Sequence, residues 1–594
     1  MCGIISVLSF KDKVAKCIIS SLERLEYRGY DSAGISYIDE NSKLQRIRSV
    51  GKINNLKNLL DLESIKSHIG IGHTRWATHG KVTVSNAHPH NAEGISIVHN
   101  GIIENFEDLK KTLIEKGEVF ESETDSEVIA KLISYNIKNG LSFIDAFQKA
   151  ISIITGTYAV AAIYEKEPNT LIGAKKGSPM ALGVSPDKMS VYVASDAIAL
   201  SSLAEEVTYL EEGDIAICKR NSEDITYTIL DNNFKEVSRK TVKNTVSFDD
   251  VNKGGFEDFM LKEIFEEPKV IFDTFNNEFK KPDLSKYNKI CFIACGTSYY
   301  AGYLAKYWIE DLARIHVDVE IASEFRYRNP VLSKDTLYVF ISQSGETCDT
   351  LSAMRDVKSK GLDTLAVVNV DTSSIAREAD YFIKTMAGTE IGVASTKAFV
   401  AQAMALLLLA VDKSEIDVEE IMMATQSVLN NQLSIKTAAE KIKNSKSMLY
   451  LGRGTSYPIA LEGSLKVKEL SYISAEGYPS GEIKHGPIAL IDESVYSIIL
   501  APKDRYFEKT ISNAQEVLAR KGKIILITTE DSKDFLQNIA TDENVSIISI
   551  PNIDTRIQPF PLATTIHLLA YYTAKGKGID VDKPRNLAKS VTVE

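Results

Sequence analysis

Cys2 combines two groups that acyl-transfer chemistry needs. If Met1 is removed, Cys2 carries a thiol beside a free α-amine, and an α-amine with a pKa near ~8 can accept the thiol proton. Because an apolar run follows at Gly3–Phe10, the alternative is that Cys2 only begins a buried strand. The sequence thus offers a nucleophile whose use depends on what the rest of the chain supplies.

Polar loops in the N-terminal part of the chain could hold an amide substrate for this nucleophile. Arginine can clamp a carboxylate, tryptophan can cover a ligand, asparagine and glycine N–H groups can stabilise an oxyanion, and aspartate can hold an ammonium group. Ordinary turn and helix-cap chemistry is the alternative for each. The candidates are Arg75, Trp76, Thr78, His79, Asn100, Gly101 and Asp125.

Two hydroxyl-rich loops in the second half follow predicted buried strands and could cradle a phosphate. Hydroxyls and the N–H groups at a helix start form an anion site, and open α/β sheets bind ligands at the carboxyl ends of their strands. No G-x-x-x-x-G-K-[ST] motif indicates a nucleoside triphosphate, and N-capping by Ser and Thr is the alternative. The loops contain Cys295, Gly296, Thr297 and Ser298, and Ser342, Gln343, Ser344 and Thr347.

The second half also contains an internal repeat. Ile290–Tyr299 reads ICFIACGTSY and Met448–Tyr457 reads MLYLGRGTSY, and the same offset aligns Leu365–Val368 with Lys523–Leu526. Strand-then-helix alternation predicts two related α/β domains. Because the loop Ala501–Asp504 has lost the hydroxyl cluster, only the first copy is expected to hold phosphate.

The second copy carries candidate acid–base groups instead. Glu462, Lys466 and Glu469 lie at i, i+4 and i+7 on one predicted helix face, where they form either a surface ion-pair ladder or a base and an ammonium aimed at a substrate. His485 lies in a glycine-bounded loop. Lys589 lies in a polar tail, where a solvated lysine is the alternative.

Composition limits the remaining function classes. A chain of 594 residues needs several domains, and its net charge of -11 argues against nucleic acid and acidic membranes as partners. The six cysteines form no C-x-x-C pair, so a reducing cytoplasm is expected.

The run at Gly3–Phe10 does not resemble a signal peptide, and Ala398–Val411 is too short to span a membrane and predicts a buried helix. A metal site among the five histidines between His68 and His90 is disfavoured because no carboxylate or thiol has ligand spacing.

Together these motifs resemble the glutamine–fructose-6-phosphate aminotransferase (isomerizing) family over essentially the whole chain. The resemblance implies a multidomain α+β and α/β fold, in which an N-terminal nucleophile (class II glutamine amidotransferase) αββα domain precedes two SIS-type parallel-sheet α/β domains. The implied boundaries are 2–213 for the amidotransferase domain, 214–283 for an extension and linker, 284–423 and 441–584 for the SIS domains, and 585–594 for a catalytic tail. The resemblance to the family rests on the motifs Met1–Ile4, Tyr27–Gly34, His73–Gly80, His99–Ile102, the two hydroxyl loops and Pro584–Glu594.

The resemblance implies that glutamine and fructose 6-phosphate become glutamate and glucosamine 6-phosphate, the first step of amino-sugar synthesis, with no cofactor or metal. Cys2 would attack glutamine, Asn100 and Gly101 would form the oxyanion hole, and Trp76 would gate ammonia. Glutamine would be held by Arg75, Thr78, His79 and Asp125. The sugar phosphate would be held by the two hydroxyl loops and Val393.

For the sugar reaction the resemblance implies a Schiff-base lysine at Lys589 and a C1–C2 proton-transfer base at Glu469. His485 would open the ring from the neighbouring subunit of a homodimer, and Lys466 and Glu462 would assist. The long insertion of the animal and fungal enzymes is absent, which indicates a bacterial-type protein. Ala475–Ser480 is more turn-prone than the family's usual stretch.

Three rival functions remain at this point. A phosphoribosyl amidotransferase or asparagine synthetase would share the N-terminal domain, but nucleotide and pyrophosphate motifs are missing from the second half. A non-catalytic sugar-phosphate sensor would keep Ser342–Thr347 without needing Cys2, Glu469 or Lys589. A deglycase with SIS domains would lack the glutaminase half.

Overall fold

The computed structural model describes residues 2–244 and 252–592, which form two compact units. The first unit comprises Met1–Asn252 with Ala588–Glu594, and the second comprises Lys253–Leu587. Thr241–Gly255 is a polar stretch within the expected extension and linker 214–283, where its composition predicts a linker, and it falls partly outside the described residues. Within the described part, Thr241–Lys243 is a strand instead.

The first unit contains two antiparallel sheets that pack face to face. Gly3–Ser9 is an interior strand because all of its residues are buried and it pairs on both sides. Ile4 and Leu8 of one sheet share a core with Val98 and Ala161 of the other. The eight-stranded sheet has the order β15-β11-β9-β10-β1-β4-β2-β3, and the seven-stranded sheet has the order β14-β13-β12-β8-β7-β6-β5. The strands are β1 Gly3–Ser9, β2 Ser32–Asp39, β3 Leu44–Val50, β4 Ser67–Arg75, β5 His90–Ala92, β6 Ile95–Ile103, β7 Gly156–Tyr164, β8 Thr170–Lys176, β9 Ala181–Val184, β10 Ser190–Ala194, β11 Glu206–Tyr209, β12 Ile215–Arg220, β13 Ile225–Leu230, β14 Glu236–Val237 and β15 Thr241–Lys243.

Helices cover the outer faces of both sheets, which confirms the predicted αββα layering. Ile18 of the first helix packs against Gly72, where a Cβ atom would come within 2.3 Å of it, so glycine lets the helix approach the sheet. Phe143 and Phe147 belong to the core under the other sheet. The helices are α1 Val14–Leu25, α2 Ile53–Lys57, α3 Phe106–Glu115, α4 Glu127–Lys138 and α5 Phe143–Ile153.

The second unit contains two five-stranded parallel sheets with equivalent strand orders, which confirms the internal repeat. The first has the order β17-β16-β18-β19-β20 and the second the order β22-β21-β23-β24-β25. Nearly every residue of the central strands is buried, as expected of sheets covered on both faces. The strands are β16 Lys289–Ala294, β17 His316–Ile321, β18 Thr336–Ser342, β19 Thr364–Val368, β20 Tyr381–Lys384, β21 Ser447–Gly452, β22 Ser474–Pro479, β23 Tyr496–Ala501, β24 Lys523–Thr529 and β25 Val545–Ile550.

Helices of the second unit include the predicted buried helix, which spans Lys397–Ala410. Helical periodicity over Phe256–Phe275 predicts one continuous helix, but two helices form because Pro268 lacks an N–H donor and is accommodated in the first turn of a new helix. No helix in the described ranges is long and apolar enough to span a membrane. The helices are α6 Phe259–Phe265, α7 Glu267–Asn276, α8 Gly296–Trp308, α9 Ala322–Tyr327, α10 Cys348–Ser359, α11 Ser374–Glu378, α12 Lys397–Ala410, α13 Val418–Asn430, α14 Leu433–Ile442, α15 Ser456–Ser471, α16 Phe507–Leu518, α17 Gln537–Ala540 and α18 Pro559–Gly576.

Candidate functional site

A cavity beside Cys2 collects the residues that the sequence proposes for glutamine binding. Cys2 immediately precedes β1, Arg75 ends the neighbouring strand β4, and Asn100 lies on β6 of the facing sheet. The predicted residues that line the cavity are Cys2, Arg75, Trp76, Thr78, His79, Asn100, Gly101 and Asp125. The fold thus brings together loops that are distant in sequence around one thiol.

The Cys2 thiol is held against the loop that follows β4. The backbone N–H of Trp76 donates to Cys2 Sγ at 3.3 Å. Burial raises the pKa of Cys2, and the positive charge of Arg75 opposes that rise. The thiol therefore needs a nearby base to become a nucleophile.

Arg75 organises the loop that could close over a substrate. Its guanidinium donates to the backbone carbonyls of His79, Gly80 and Lys81. Asp31 fixes the same loop by accepting the Ala77 N–H at 2.9 Å. Arg75 is thus buried in place and faces the cavity, as a carboxylate anchor requires.

Asn100 and Gly101 supply the donors expected of an oxyanion hole. Asn100 Nδ2 donates to the carbonyl oxygen of Cys2 at 2.8 Å. Gly101 has φ 134°, and a Cβ there would lie 2.0 Å from the carbonyl oxygen of Thr157. Only glycine fits this position, so the backbone next to Asn100 reaches the cavity without a side chain.

Asp125 lies before α4 and is buried. One of its oxygens, Oδ2, accepts the Ile103 N–H at 2.8 Å, which fixes the carboxylate at the cavity wall. It does not cap α4, so the helix-cap alternative is wrong for this residue. The geometry leaves a fixed negative charge that can attract an ammonium group.

Several residues that line this cavity were not predicted: His88, His99, Thr124, Ser126 and Thr592. His88 belongs to the run of five histidines between His68 and His90, and His99 directly precedes Asn100, but no local signal distinguishes the role of either. Thr592 arrives from the C-terminal segment that belongs to the first unit, and the half-buried Lys589 lies in the same segment.

In the second unit, the Ser342 loop is a hydrogen-bonded turn at the carboxyl end of β18 that can accommodate an anion. Ser342 Oγ lies 2.8 Å from Thr347 Oγ1 and accepts the Gly345 N–H at 3.0 Å. Gly345 has φ 65°, and a Cβ there would lie 1.9 Å from Ser373 Oγ. Gln343 and Ser344 are half-buried on the same turn, and α10 begins at Cys348.

The second hydroxyl loop joins β16 to α8, as predicted. Cys295 occupies the N-cap position and Gly296 begins the helix. Thr297 Oγ1 donates to Glu462 Oε1 at 3.2 Å, so the loop of the first repeat contacts α15 of the second repeat. Ser298 lies on the first turn of α8.

Glu462, Lys466 and Glu469 form a buried chain of charges, so the alternative of a surface ladder is wrong. Lys466 Nζ lies 3.4 Å from Glu462 Oε1 and 2.7 Å from Glu469 Oε2. Side chains of Glu462 and Lys466 are 0% exposed, whereas that of Glu469 is 21% exposed. Burial alone would lower the pKa of Lys466, but the two carboxylates raise it. Of these three residues, Glu469 is therefore the one that solvent or a ligand can reach.

Two further residues extend this chain, and sequence reasoning missed both. His567 Nδ1 lies 2.7 Å from Glu267 Oε1, and its Nε2 lies 3.8 Å from Glu462 Oε1. Burial opposes charge on the ring, but the carboxylates of Glu267 and Glu462 raise the pKa of His567 to about 9. No local pattern could indicate this contact, because Glu267 and His567 are 300 positions apart.

The remaining predicted residues of the second unit lie apart from these contacts. His485 is exposed at the end of a short 3-10 helix, Ser480–His485. Val393 is buried and donates its backbone N–H to the carbonyl of Asp582. The turn-prone Ala475–Ser480 stretch lies mostly in strand β22, because pairing with β21 overrides local turn preference. No cluster of three or more metal-ligating side chains occurs within residues 2–244 and 252–592.

Comparisons with known proteins match both units. The model of the SIS domain matches residues 283–412 and 441–574, and that of the glutamine amidotransferase domain matches residues 75–202. A glutamine–fructose-6-phosphate aminotransferase (isomerizing) of Bradyrhizobium diazoefficiens is 47% identical and one of Zymomonas mobilis is 45% identical, each over 100% of both chains. The solved C-terminal domain of glucosamine-fructose-6-phosphate aminotransferase from Francisella tularensis is 40% identical, with a TM-score of 0.53, over 56% of this chain and 99% of that domain.

Proposed function

The chain belongs to the glutamine–fructose-6-phosphate aminotransferase (isomerizing) family, and we propose that it makes glucosamine 6-phosphate and glutamate from fructose 6-phosphate and glutamine. The observation that carries the proposal is the Cys2 cavity, where a nucleophile, an amide donor and two oppositely charged anchors line one space. The hydrogen-bonded turn at Ser342, which can accommodate an anion, supports the assignment of a phosphorylated acceptor.

In the first half-reaction, the thiol proton of Cys2 passes to its own α-amine once Met1 is removed, and Sγ attacks the side-chain amide carbon of glutamine. The oxyanion receives hydrogen bonds from Asn100 Nδ2 and the Gly101 N–H. The C–N bond then breaks, and nitrogen leaves as ammonia with the shuttled proton. Water hydrolyses the thioester to glutamate and regenerates the thiol.

Charge complementarity orients glutamine for this attack. The Arg75 guanidinium holds the α-carboxylate, and the Asp125 carboxylate holds the α-ammonium group. Thr78 and His79 complete the binding loop, and Trp76, which contacts Cys2, gates the release of ammonia. The loop hydrogen bonds of Arg75 support this role, because they preorganise its side chain.

In the second half-reaction, the two hydroxyl loops and Val393 hold fructose 6-phosphate. Lys589 forms an imine with the C2 carbonyl and releases water, and ammonia replaces the lysine nitrogen at C2. Glu469 then moves a proton from C1 to C2 while the C1 hydroxyl proton passes to the nitrogen, which leaves a C2 amine and a C1 aldehyde. The Lys466 ammonium, held by Glu462, stabilises charge on Glu469. None of these steps requires a cofactor.

The exposure of His485 supports a further element of the proposal. We infer that it opens the sugar ring in the neighbouring subunit of a homodimer. A sedimentation measurement of the active enzyme tests whether it is a dimer. Mixing inactive His485→Ala chains with inactive Lys589→Ala chains tests whether two subunits contribute to one sugar site, because activity returns only if they do. We also place the enzyme in the cytoplasm, which fractionation tests.

Synthesis measured with glutamine and with ammonia tests the two-site assignment. Cys2→Ala is expected to abolish glutamine-dependent synthesis and to retain ammonia-dependent synthesis, whereas Lys589→Ala is expected to abolish both and retain glutamine hydrolysis. Loss of ammonia-dependent synthesis in a folded Cys2→Ala protein, or full synthesis in Lys589→Ala, contradicts the proposal.

A further inference from the structure

His73 connects the two sheets of the first unit at the oxyanion donor. It lies on β4, and its Nε2 is 3.1 Å from both the carbonyl oxygen of His99 and Oδ1 of Asn100 on β6. A backbone carbonyl can only accept a hydrogen bond, so Nε2 must carry the proton. The same N–H therefore faces Asn100 Oδ1.

This contact decides which way the Asn100 amide points. With Oδ1 accepting from His73, the amide nitrogen is directed to the Cys2 side, where it donates to the Cys2 carbonyl at 2.8 Å. A rotated amide would place its NH₂ group against the His73 donor and turn an acceptor toward the developing oxyanion. We propose that His73 is a positioning residue for glutamine hydrolysis that locks the Asn100 amide in its donor orientation; this rests on the proposed role of Asn100.

The surroundings of His73 keep its ring in place and uncharged. The ring is 0% exposed and stacks on His88 with centroids 4.0 Å apart. Arg75 and His99 also face it, and the electrostatic influence of both disfavours a proton on the ring. Burial lowers the pKa of His73 to about 3, so its hydrogen-bonding pattern stays the same across the neutral pH range.

Steady-state glutamine hydrolysis by the full chain tests the proposal. His73→Leu removes the donor and is expected to lower kcat by about 10- to 100-fold with KM nearly unchanged, because an oxyanion donor acts in the transition state. His73→Gln places an amide N–H near the position of Nε2 and should recover much of the loss. His90→Leu, a matched change in the same cluster that does not touch Asn100, should leave kcat within about threefold.

Asn100→Ala completes a double-mutant cycle. If His73 acts through Asn100, His73→Leu lowers the kcat of glutamine hydrolysis about tenfold or more in the wild-type background but leaves it almost unchanged in the Asn100→Ala background. Equal losses in both backgrounds, or a kcat for His73→Leu close to wild type, overturn the inference. Full hydrolysis by Asn100→Ala would instead overturn the proposed oxyanion hole. Ammonia-dependent synthesis by each variant verifies folding.

Discussion

Both units bury histidines next to a proposed reaction centre, yet the two environments give the rings opposite charge. In the first unit His73 stacks on His88, His88 meets His90 edge to face, and burial lowers the pKa of each below its ordinary value. In the second unit His567 is equally buried but contacts Glu267, and its pKa rises to about 9. The first cluster is neutral at pH 7 and the second is ionised.

The difference shows that burial alone does not set the charge of a histidine. Desolvation disfavours the imidazolium in both places, and only an adjacent carboxylate reverses that effect. The neutral cluster supplies hydrogen bonds of fixed direction beside Cys2, where a thiol must lose its proton. The chain from Glu267 to Glu469 alternates acidic and basic side chains and ends at a partly exposed carboxyl group, as the proposed proton transfer between sugar carbons requires.

The largest expected effect comes from removing the carboxylate that charges His567. Glu267→Gln keeps the shape of the side chain but leaves the buried ring without its countercharge, so we expect a loss of about 3 kcal/mol in the free energy of unfolding at pH 6.5. Denaturant unfolding followed through ammonia-dependent synthesis measures it. Glu440→Gln, whose side chain is 66% exposed and pairs with Lys443, is the matched control and should cost less than about 1 kcal/mol. Equal losses would mean that the charge on His567 contributes nothing.

The environments of His567 and His73 also predict that the stability each histidine contributes changes with pH in opposite directions. Since the folded pKa of His567 is raised, its stabilisation is fully present below pH ~6.5 and disappears as pH rises through about 9. The folded pKa of His73 is lowered, so its stabilisation is present above pH ~6.5 and declines as pH falls toward about 3. As pH falls from 8 to 5, the free energy of unfolding of the wild type should decrease by about 2 kcal/mol more than that of His73→Gln. The free energy of unfolding of the wild type, His567→Gln and His73→Gln, measured from pH 5 to 9.5, checks both predictions. If the difference between wild type and variant changes with pH in the same direction for both histidines, the two environments do not differ as described.

The smallest effects separate the two regions by activity. Thr297→Val removes the 3.2 Å hydrogen bond to Glu462, and Thr124→Val removes the 3.1 Å contact with His90. Each substitution should lower the free energy of unfolding by about 1 kcal/mol. Thr297→Val should slow ammonia-dependent synthesis and spare glutamine hydrolysis. Thr124→Val should spare ammonia-dependent synthesis and slow glutamine hydrolysis by no more than about threefold, the limit also expected of His90→Leu. Each variant is the control for the other, and a loss of both activities in either one would show that the regions are not independent.

Local patterns were sufficient for the elements that carry each site. Strand-then-glycine-then-helix spacing located the Ser342 and Thr297 loops, because backbone turns and helix starts depend on a few adjacent residues. The polar loops around Arg75, Asn100 and Asp125 were found in the same way. Local reasoning failed or stayed open where neighbours intervened: Pro268 divides one expected helix, and the spacing on α15 could not distinguish a surface ion-pair ladder from the buried charges that the structure shows.

By itself, the sequence determined the duplicated α/β architecture, and it predicted the nucleophile at Cys2 and the residues of each binding loop. Only the tertiary structure decided which histidines are charged. Glu267 reaches His567 across 300 positions, and His73 reaches Asn100 across 27, because helix packing and sheet stacking bring them together. A histidine's protonation depends on the few groups within hydrogen-bonding distance, and those groups are chosen by the fold rather than by neighbours in the chain.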